Sequence, residues 1–234
     1  METKKTIVFL TGAGISAESG IPTFRDSNGL WNNHNVEEVA SIEGWERNPE
    51  LVLDFYNQRR ADLMKVQPND AHLAITKLQE KYNVIVITQN VDDLHERAGT
   101  DMVLHLHGEL AKVCSSANRE KCVHELPLDV PIRMGDKAED GSQLRPYTVW
   151  FGEDVTNIQD ACNIVQLADI FVVVGTSLEV NPAASLVIYS RADQNFVIDP
   201  AAPKDMLEEL DSSLHVINLP ATEGMKVLLE ELGA

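Results

Sequence analysis

Short β-branched runs recur along this chain, and several are apolar throughout instead of alternating with polar residues. They lie at 6–11, 83–88, 102–107, 148–152, 169–176, 195–199 and 214–219. A strand that is apolar on both faces belongs in a parallel sheet covered on both sides. Helical patterns lie between the runs, at about 49–66, 70–81, 157–168, 182–192, 203–211 and 222–233. Asn69-Asp70 after Pro68 is a suitable start for the second of them. The alternation predicts an α/β fold built on a doubly wound parallel sheet. Two stretches break it. Residues 27–76 carry helical patterns without an intervening strand, and residues 111–147 are polar, with Gly and Pro and no clear periodicity. Both read as excursions from the sheet that pack together as a lid or small subdomain, and connections this long are more often functional than idle.

The bulk numbers narrow the possible partners. At 234 residues and 44% hydrophobic, the chain buries one substantial core. Its net charge of −18 argues against nucleic acid, which needs a basic surface; it suits cationic, lysine-bearing substrates, or simply solubility. Cys114, Cys122 and Cys162 make no disulfide framework, so a reducing, cytoplasmic setting is expected. Lys4-Lys5 precedes an apolar run too short for a signal peptide, and no stretch is long enough to span a membrane, so no membrane partner is expected.

Chemistry concentrates where predicted strands end, the place at which α/β sheets hold ligands. The first strand runs into Gly12-Ala13-Gly14-Ile15-Ser16, a turn that brings backbone N–H groups toward a phosphate. The dinucleotide fingerprint also wants an acidic residue at the end of the second strand. Glu37 and Glu38 fall near that distance but in a helix-like stretch, so this is either no dinucleotide site or an unusual one. Thr88-Gln89-Asn90-Val91-Asp92 follows another apolar run. Its amides and carboxylates suit a carboxamide and sugar hydroxyls, or equally a helix N-cap. His107-Gly108 ends a third run, and an imidazole there is either structural or a general base at neutral pH.

Taken together these segments carry more. Gly12-Ala-Gly-Ile-Ser16, Gly20-Ile-Pro-Thr-Phe24-Arg25, Gly29-Leu-Trp31, Thr88-Gln-Asn-Val-Asp92, His107-Gly108, Phe151-Gly-Glu153 and Gly175-Thr-Ser177 occur in the order that marks the sirtuins. The chain resembles that family of NAD-dependent protein-lysine deacylases over nearly its whole length. The resemblance implies a Rossmann-like doubly wound sheet with a smaller inserted subdomain, in a single catalytic domain over 1–234. The large part would comprise about 1–26, 77–110 and 148–234, and the small subdomain about 27–76 and 111–147.

The resemblance also implies roles. Gly12, Ala13, Gly14 and Ser16 would hold the NAD diphosphate and nearby ribose, and Phe24 and Arg25 would belong to a loop closing over the cofactor. Gln89 would contact a ribose, and Asn90 and Asp92, with Ile15, would line the nicotinamide pocket. Gly175, Thr176 and Ser177 would sit at the adenosine side, and His107 would be the general base. The acyl oxygen would displace nicotinamide from the ribose, His107 would take a proton from the ribose hydroxyls, and O-acyl-ADP-ribose would be released. Positioning and water exclusion would supply much of the rate, because an amide oxygen is a poor nucleophile. The substrate would add an extended strand between Phe151-Gly152-Glu153 and the segment reaching Val180, with Val149, Phe151, Val180 and His107 around the lysine stem.

A helical spacing points to the acyl group. Val52, Tyr56, Arg59 and Leu63 are spaced 4, 3 and 4, so they share one face. Arg59 with Tyr56 suits an acyl chain ending in carboxylate; the plain reading is an Arg59–Asp62 surface pair beside a core tyrosine. The pair resembles that of the desuccinylase/demalonylase branch (class III), and Ala40 stands where that branch has a small residue widening the acyl pocket. Succinyl- and malonyl-lysine are therefore expected substrates beside acetyl-lysine. Other positions depart from the family. Its structural zinc usually takes two Cys-x-x-Cys pairs, whereas Cys114, Cys122 and His124 offer three ligands, with Asp136 or Asp140 as a less usual fourth, so zinc is not expected. Thr23 stands where many members have Asp. Asp199 stands where an Asn often serves the adenosine ribose, and its charge argues for NAD over NADP. Two other readings are a protein mono-ADP-ribosyltransferase and a non-catalytic NAD-binding regulator. The Tyr56, Arg59 and Ala40 pocket speaks against the first, and His107, Asn90 and Asp92 against the second.

Overall fold

The structure is a computed structural model, which describes residues 4–23, 30–31, 34–202 and 214–234. The chain opens with β1 (Thr6–Thr11), α1 (Ala13–Ala17) and a two-residue hairpin, β2 (Leu30–Trp31) and β3 (His34–Asn35). Four helices follow: α2 (Val36–Val39), α3 (Ile42–Arg47), α4 (Pro49–Leu63) and α5 (Asp70–Leu78). Then come β4 (Asn83–Thr88), α6 (Leu94–Ala98), β5 (Val103–His105), β6 (Gly108–Ser115), β7 (His124–Glu125) and β8 (Leu144–Thr148). The chain finishes with α7 (Ile158–Val165), β9 (Ile170–Val174), a 3₁₀ helix (Ala183–Tyr189), β10 (Gln194–Ile198), β11 (Leu214–Ile217) and α8 (Ala221–Glu231).

Six strands form one parallel sheet in the order β11-β10-β9-β1-β4-β5. The apolar runs explain why it is covered on both faces. Along β1, Val8 and Leu10 join a core with α7 and the 3₁₀ helix, while Ile7 and Phe9 join a second core with α5 and α8. All four are fully buried. The chain leaves β1 toward β4 and β5, then returns to lay β9, β10 and β11 on the other side, so a topological switch point opens beside β1. The α/β, Rossmann-like expectation holds. Among the described residues no helix is long and apolar enough to cross a membrane.

Some local expectations need correction. Residues 111–147 do carry regular structure: β6 pairs with β7 and β8 in a small antiparallel sheet. Its register shifts between Glu109 and Val113, which breaks the alternation that would have revealed a strand. The run at 148–152 is mostly not a strand, since β8 ends at Thr148. Trp150 there is a buried anchor, Phe151 is half exposed, and Gly152 turns the chain at a φ of 93°. The predicted helix at 182–192 is the shorter 3₁₀ helix, which has no side-chain N-cap. A two-residue hairpin lies inside 27–76, and the helix expected at 203–211 lies outside the described residues.

The small sheet is fixed to α4 by a buried guanidinium. Arg60 is fully buried and donates to the carbonyls of Leu110, Leu126, Pro127 and Val130. Asn57, one turn away, exchanges two 2.8 Å bonds with the backbone of Ile132.

Candidate active site

The loops that leave the carboxyl ends of β1, β4 and β9 meet in one cleft of about 550 Å³, a size typical of small-molecule sites. Gly12 N donates to Val174 O at 3.0 Å and Gly14 N to Gly175 O at 2.8 Å, so the turns after β1 and β9 lie backbone against backbone. A Cβ on Gly14 would stand 2.6 Å from Gly175 Cα. That glycine is therefore required by the partner turn itself, a constraint beyond the room a ligand needs.

The loop after β4 supplies the polar floor. Asn90 Nδ2 donates to Gly12 O at 3.1 Å and Ser16 Oγ at 3.2 Å, and Ser16 Oγ donates to Asp92 Oδ2 at 3.1 Å. Leu94 N donates to Asp92 Oδ1 at 3.2 Å. Burial raises the Asp92 carboxyl above its ordinary value, while those hydrogen bonds oppose the rise. Gln89 Nε2 donates to Thr176 Oγ1 at 3.0 Å and ties this floor to the turn after β9.

His107 stands where the two sheets meet. β5 ends at His105 and β6 begins at Gly108, whose φ of 79° makes the corner. A Cβ there would come within 2.1 Å of Tyr147 O, so the corner accepts only glycine. His107 Nδ1 lies 3.0 Å from Gln89 O, an acceptor, which puts the ring proton on Nδ1 and leaves Nε2 with its lone pair. Burial lowers the His107 pKa and the Gln89 bond opposes it, so the ring is neutral at pH 7.

α4 adds Tyr56 and Arg59 to the cleft lining. Tyr56 is buried, and its hydroxyl accepts from Trp150 Nε1 at 3.1 Å, which leaves its own proton to donate. Arg59 is half-buried, lines the cleft, and lies 5.7 Å from the Phe55 ring centre. Burial lowers its pKa to about 10, with Tyr56 and Asp92 pulling the other way. Asp62 instead takes Lys65 at 2.7 Å and Gln58 at 3.0 Å. Ala40 is buried at the cleft wall, and its carbonyl accepts Phe151 N at 2.8 Å.

The cleft also brings together Ala13, Val149, Phe151, Gly152, Ser177 and Val180. Glu153 lines it too, but its carboxylate accepts from Arg145 at 2.7 Å, Arg119 at 3.2 Å and Trp150 N at 2.9 Å. Ile15 is placed elsewhere, fully buried in the core with Ile75 and Leu78. Phe24 and Arg25 lie outside the described residues. Sequence reasoning missed Trp150 as the partner of Tyr56. It also missed Glu18, which receives Thr222 N at 2.9 Å and Thr222 Oγ1 at 2.7 Å at the start of α8 and lines the cleft. No local pattern signals partners so distant in the chain. Among the described residues, no group of three His, Cys, Asp or Glu side chains is placed to hold a metal ion. Cys114 is buried with its thiol pushed up to about 12 by burial, and its Sγ donates to Pro146 O at 3.6 Å. Cys162, on the buried face of α7, packs in the core.

An open α/β sheet with a glycine turn and an amide-lined floor at its switch point defines a nucleotide-binding class of fold. Residues 12–182 match the Sir2 family. A Bacteroides thetaiotaomicron NAD-dependent protein deacylase is 51% identical over 232 residues, covering 97% of this chain and 98% of the relative. A Helicobacter pylori protein of the same description is 49% identical over 228 residues, covering 97% of each. Among solved structures, a Sir2 homolog–NAD complex superposes with a TM-score of 0.84 at 38% identity, covering 98% of this chain and 90% of that one. A Sir2 bound to acetylated peptide gives 0.78 at 28% identity, covering 98% and 94%. The chain belongs to the Sir2 family.

Proposed function

We propose that this protein removes acyl groups from lysine side chains of other proteins at the expense of NAD, releasing nicotinamide and O-acyl-ADP-ribose. The observation that carries the reading is His107: its Nδ1 is anchored on Gln89 O, and it lines one cleft with Asn90, Asp92, Tyr56 and Arg59. NAD fits the donor set, with a turn of small residues for the diphosphate and the Asn90 and Asp92 side chains for a carboxamide. When bound, NAD supplies an electrophilic ribose carbon with nicotinamide as leaving group. Gly12, Ala13, Gly14 and Ser16 would hold the diphosphate, and Gln89, Thr176, Ser177 and Gly175 would serve the sugars. His107 would accept a ribose proton at Nε2. The acyl-lysine would lie between a large part and a small subdomain, with Val149, Phe151 and Val180 along its stem. The backbones at Gly152 and Val180 would pair with an extended peptide. Thr176 and Asp199 also line the cleft, and the Asp199 charge favours NAD over NADP.

The acyl specificity extends to succinyl and malonyl groups. Support comes from Arg59 and Tyr56, three residues apart on α4, which line the cleft together with the small Ala40. Matched acetyl- and succinyl-lysine peptides, followed by mass spectrometry with and without NAD, test this. NAD-dependent loss of either group that vanishes in His107→Ala supports the deacylase. No loss of either, with NAD still bound, would favour ADP-ribosyl transfer or a binding role.

A further inference from the structure

The end of β5 and the corner after it carry two histidines, His105 and His107, and they are held differently. His107 faces a single acceptor, Gln89 O. His105 lies behind the cleft wall with its side chain only 7% exposed, between two acceptors. Its Nδ1 is 2.9 Å from Asn90 O, and its Nε2 is 2.8 Å from Glu96 Oε1. A carbonyl oxygen and an ionised carboxylate only accept, so both ring nitrogens must carry hydrogen to make both bonds. That species is the imidazolium.

We infer that His105 is a positioning residue charged at neutral pH: Glu96 keeps it an imidazolium, and it fixes the Asn90 carbonyl and with it the amide-bearing floor of the cleft. The loop geometry supports the assignment. The successive carbonyls of Gln89, Asn90 and Val91 accept from His107 Nδ1 at 3.0 Å, His105 Nδ1 at 2.9 Å and Leu110 N at 2.8 Å. The Asn90 side chain, on the same residue, reaches Gly12 O and Ser16 Oγ. A tilt of the Asn90 peptide would therefore move that amide and, through Ser16, the Asp92 carboxylate.

The charges around His105 agree with a cation. From α6 come Glu96 and the buried His95; from β6 comes Glu109, itself paired with Lys112 at 2.6 Å; from the loop after β4 comes Asp92. Asn157, ahead of α7, donates to the His105 carbonyl. Burial alone would lower the His105 pKa, but the bond and charge of Glu96, the charge of Glu109 and the Asn90 carbonyl together raise it. Burial would likewise raise Glu96, and the bond and charge of His105 bring it below its ordinary value.

The inference rests on the deacylase reading for its functional meaning, and its test does not. Nitrogen NMR of ring-labelled histidine in the full chain should show both His105 nitrogens protonated at pH 7.5, with His107 neutral. A neutral His105 there overturns the inference. Glu96→Gln offers a donor as well as an acceptor, so the His105 titration midpoint should fall by about 1 pH unit or more; an unmoved midpoint counts against Glu96 as the keeper of the charge. His105→Phe removes both ring donors. Its kcat/KM for NAD should drop about tenfold while the acyl-peptide KM stays within about twofold, and His105→Gln, which can still reach Asn90 O, should recover part of the loss. An unchanged kcat/KM for NAD in His105→Phe also overturns the inference. If His105→Phe does not fold, the ring spectra of wild type and Glu96→Gln decide alone. Absence of NAD-dependent deacylation in the wild type would defeat the functional reading, which the ring spectra do not depend on.

Discussion

At the scale of single residues, two side chains carry the proposed chemistry of this cleft. Arg59→Met is expected to cut desuccinylation by roughly 10- to 150-fold, the loss of a charge-assisted bond of about 1.5–3 kcal/mol, with deacetylation changed less than about twofold. Steady-state rates on the paired peptides check this, and equal losses on both would defeat the assignment. Burial lowers Arg59 only to about 10, so the guanidinium stays charged and the preference should be flat from about pH 6 to 9. His107 behaves differently. Its pKa is lowered by burial, so its base form predominates at neutral pH and the acid-side inflection of kcat/KM should lie below the ordinary histidine value. A pH–rate profile locates that limb; an inflection above about 7 would contradict the burial account. Residues near strand ends were legible in the sequence because the turn types and amides sit together there. Tyr56 and Arg59 were legible through helical spacing. The Trp150–Tyr56 bond was not, because it joins residues 94 apart, and the Glu18–Thr222 bonds join residues 204 apart.

At the scale of elements, the attachments between packed pieces are polar and buried. Arg60 gathers four carbonyls of the small-sheet region. Arg60→Met would leave several of them unsatisfied, at a cost of about 3 kcal/mol or more. Hydrogen exchange should show residues 108–148 losing protection before the parallel sheet does, whereas uniform loss would mean that Arg60 supports the whole fold instead. The α5–α6 contact sets up an acid sensitivity. The rings of His72 and His95 are fully buried and 4.9 Å apart. Burial, helped by Arg97, lowers His72 to about 4. The unfolded chain takes up this proton near 6.5 and the folded chain only near 4, so the stability is complete above about pH 6.5 and is lost as pH falls toward about 4. The loss from His72 is about 3 kcal/mol over that window, and His72→Gln should flatten the slope in urea unfolding between about pH 7.5 and 4.5. The small sheet was the least legible element. A register shift interrupts β6, Pro146 interrupts β8, and the two strands pair across an intervening stretch with little regular structure.

At the scale of the whole molecule, the parallel sheet was legible because strands buried on both faces must be apolar at every position, a pattern that packing enforces on sequence. Charge is the other property at this scale. A net charge of −18 repels itself and attracts lysine-rich partners. The kcat/KM on a lysine-rich acyl-peptide should fall several-fold, and that on a neutral one much less, as salt rises from about 0.05 to 0.5 M; equal salt dependence would remove steering from the account. The corner at His107–Gly108 has a mechanical consequence. Here one chain passes from the parallel sheet into the antiparallel one, with Val149 N donating to His107 O at 2.9 Å across the turn. A rocking of the small sheet against the large one would turn about this corner as about a hinge pin. His107 sits in that corner, with its Nδ1 held on Gln89 O, and would move little. Phe151 and the Ala40 wall, joined through Phe151 N and Ala40 O, would shift together and widen the cleft while His107 keeps its place.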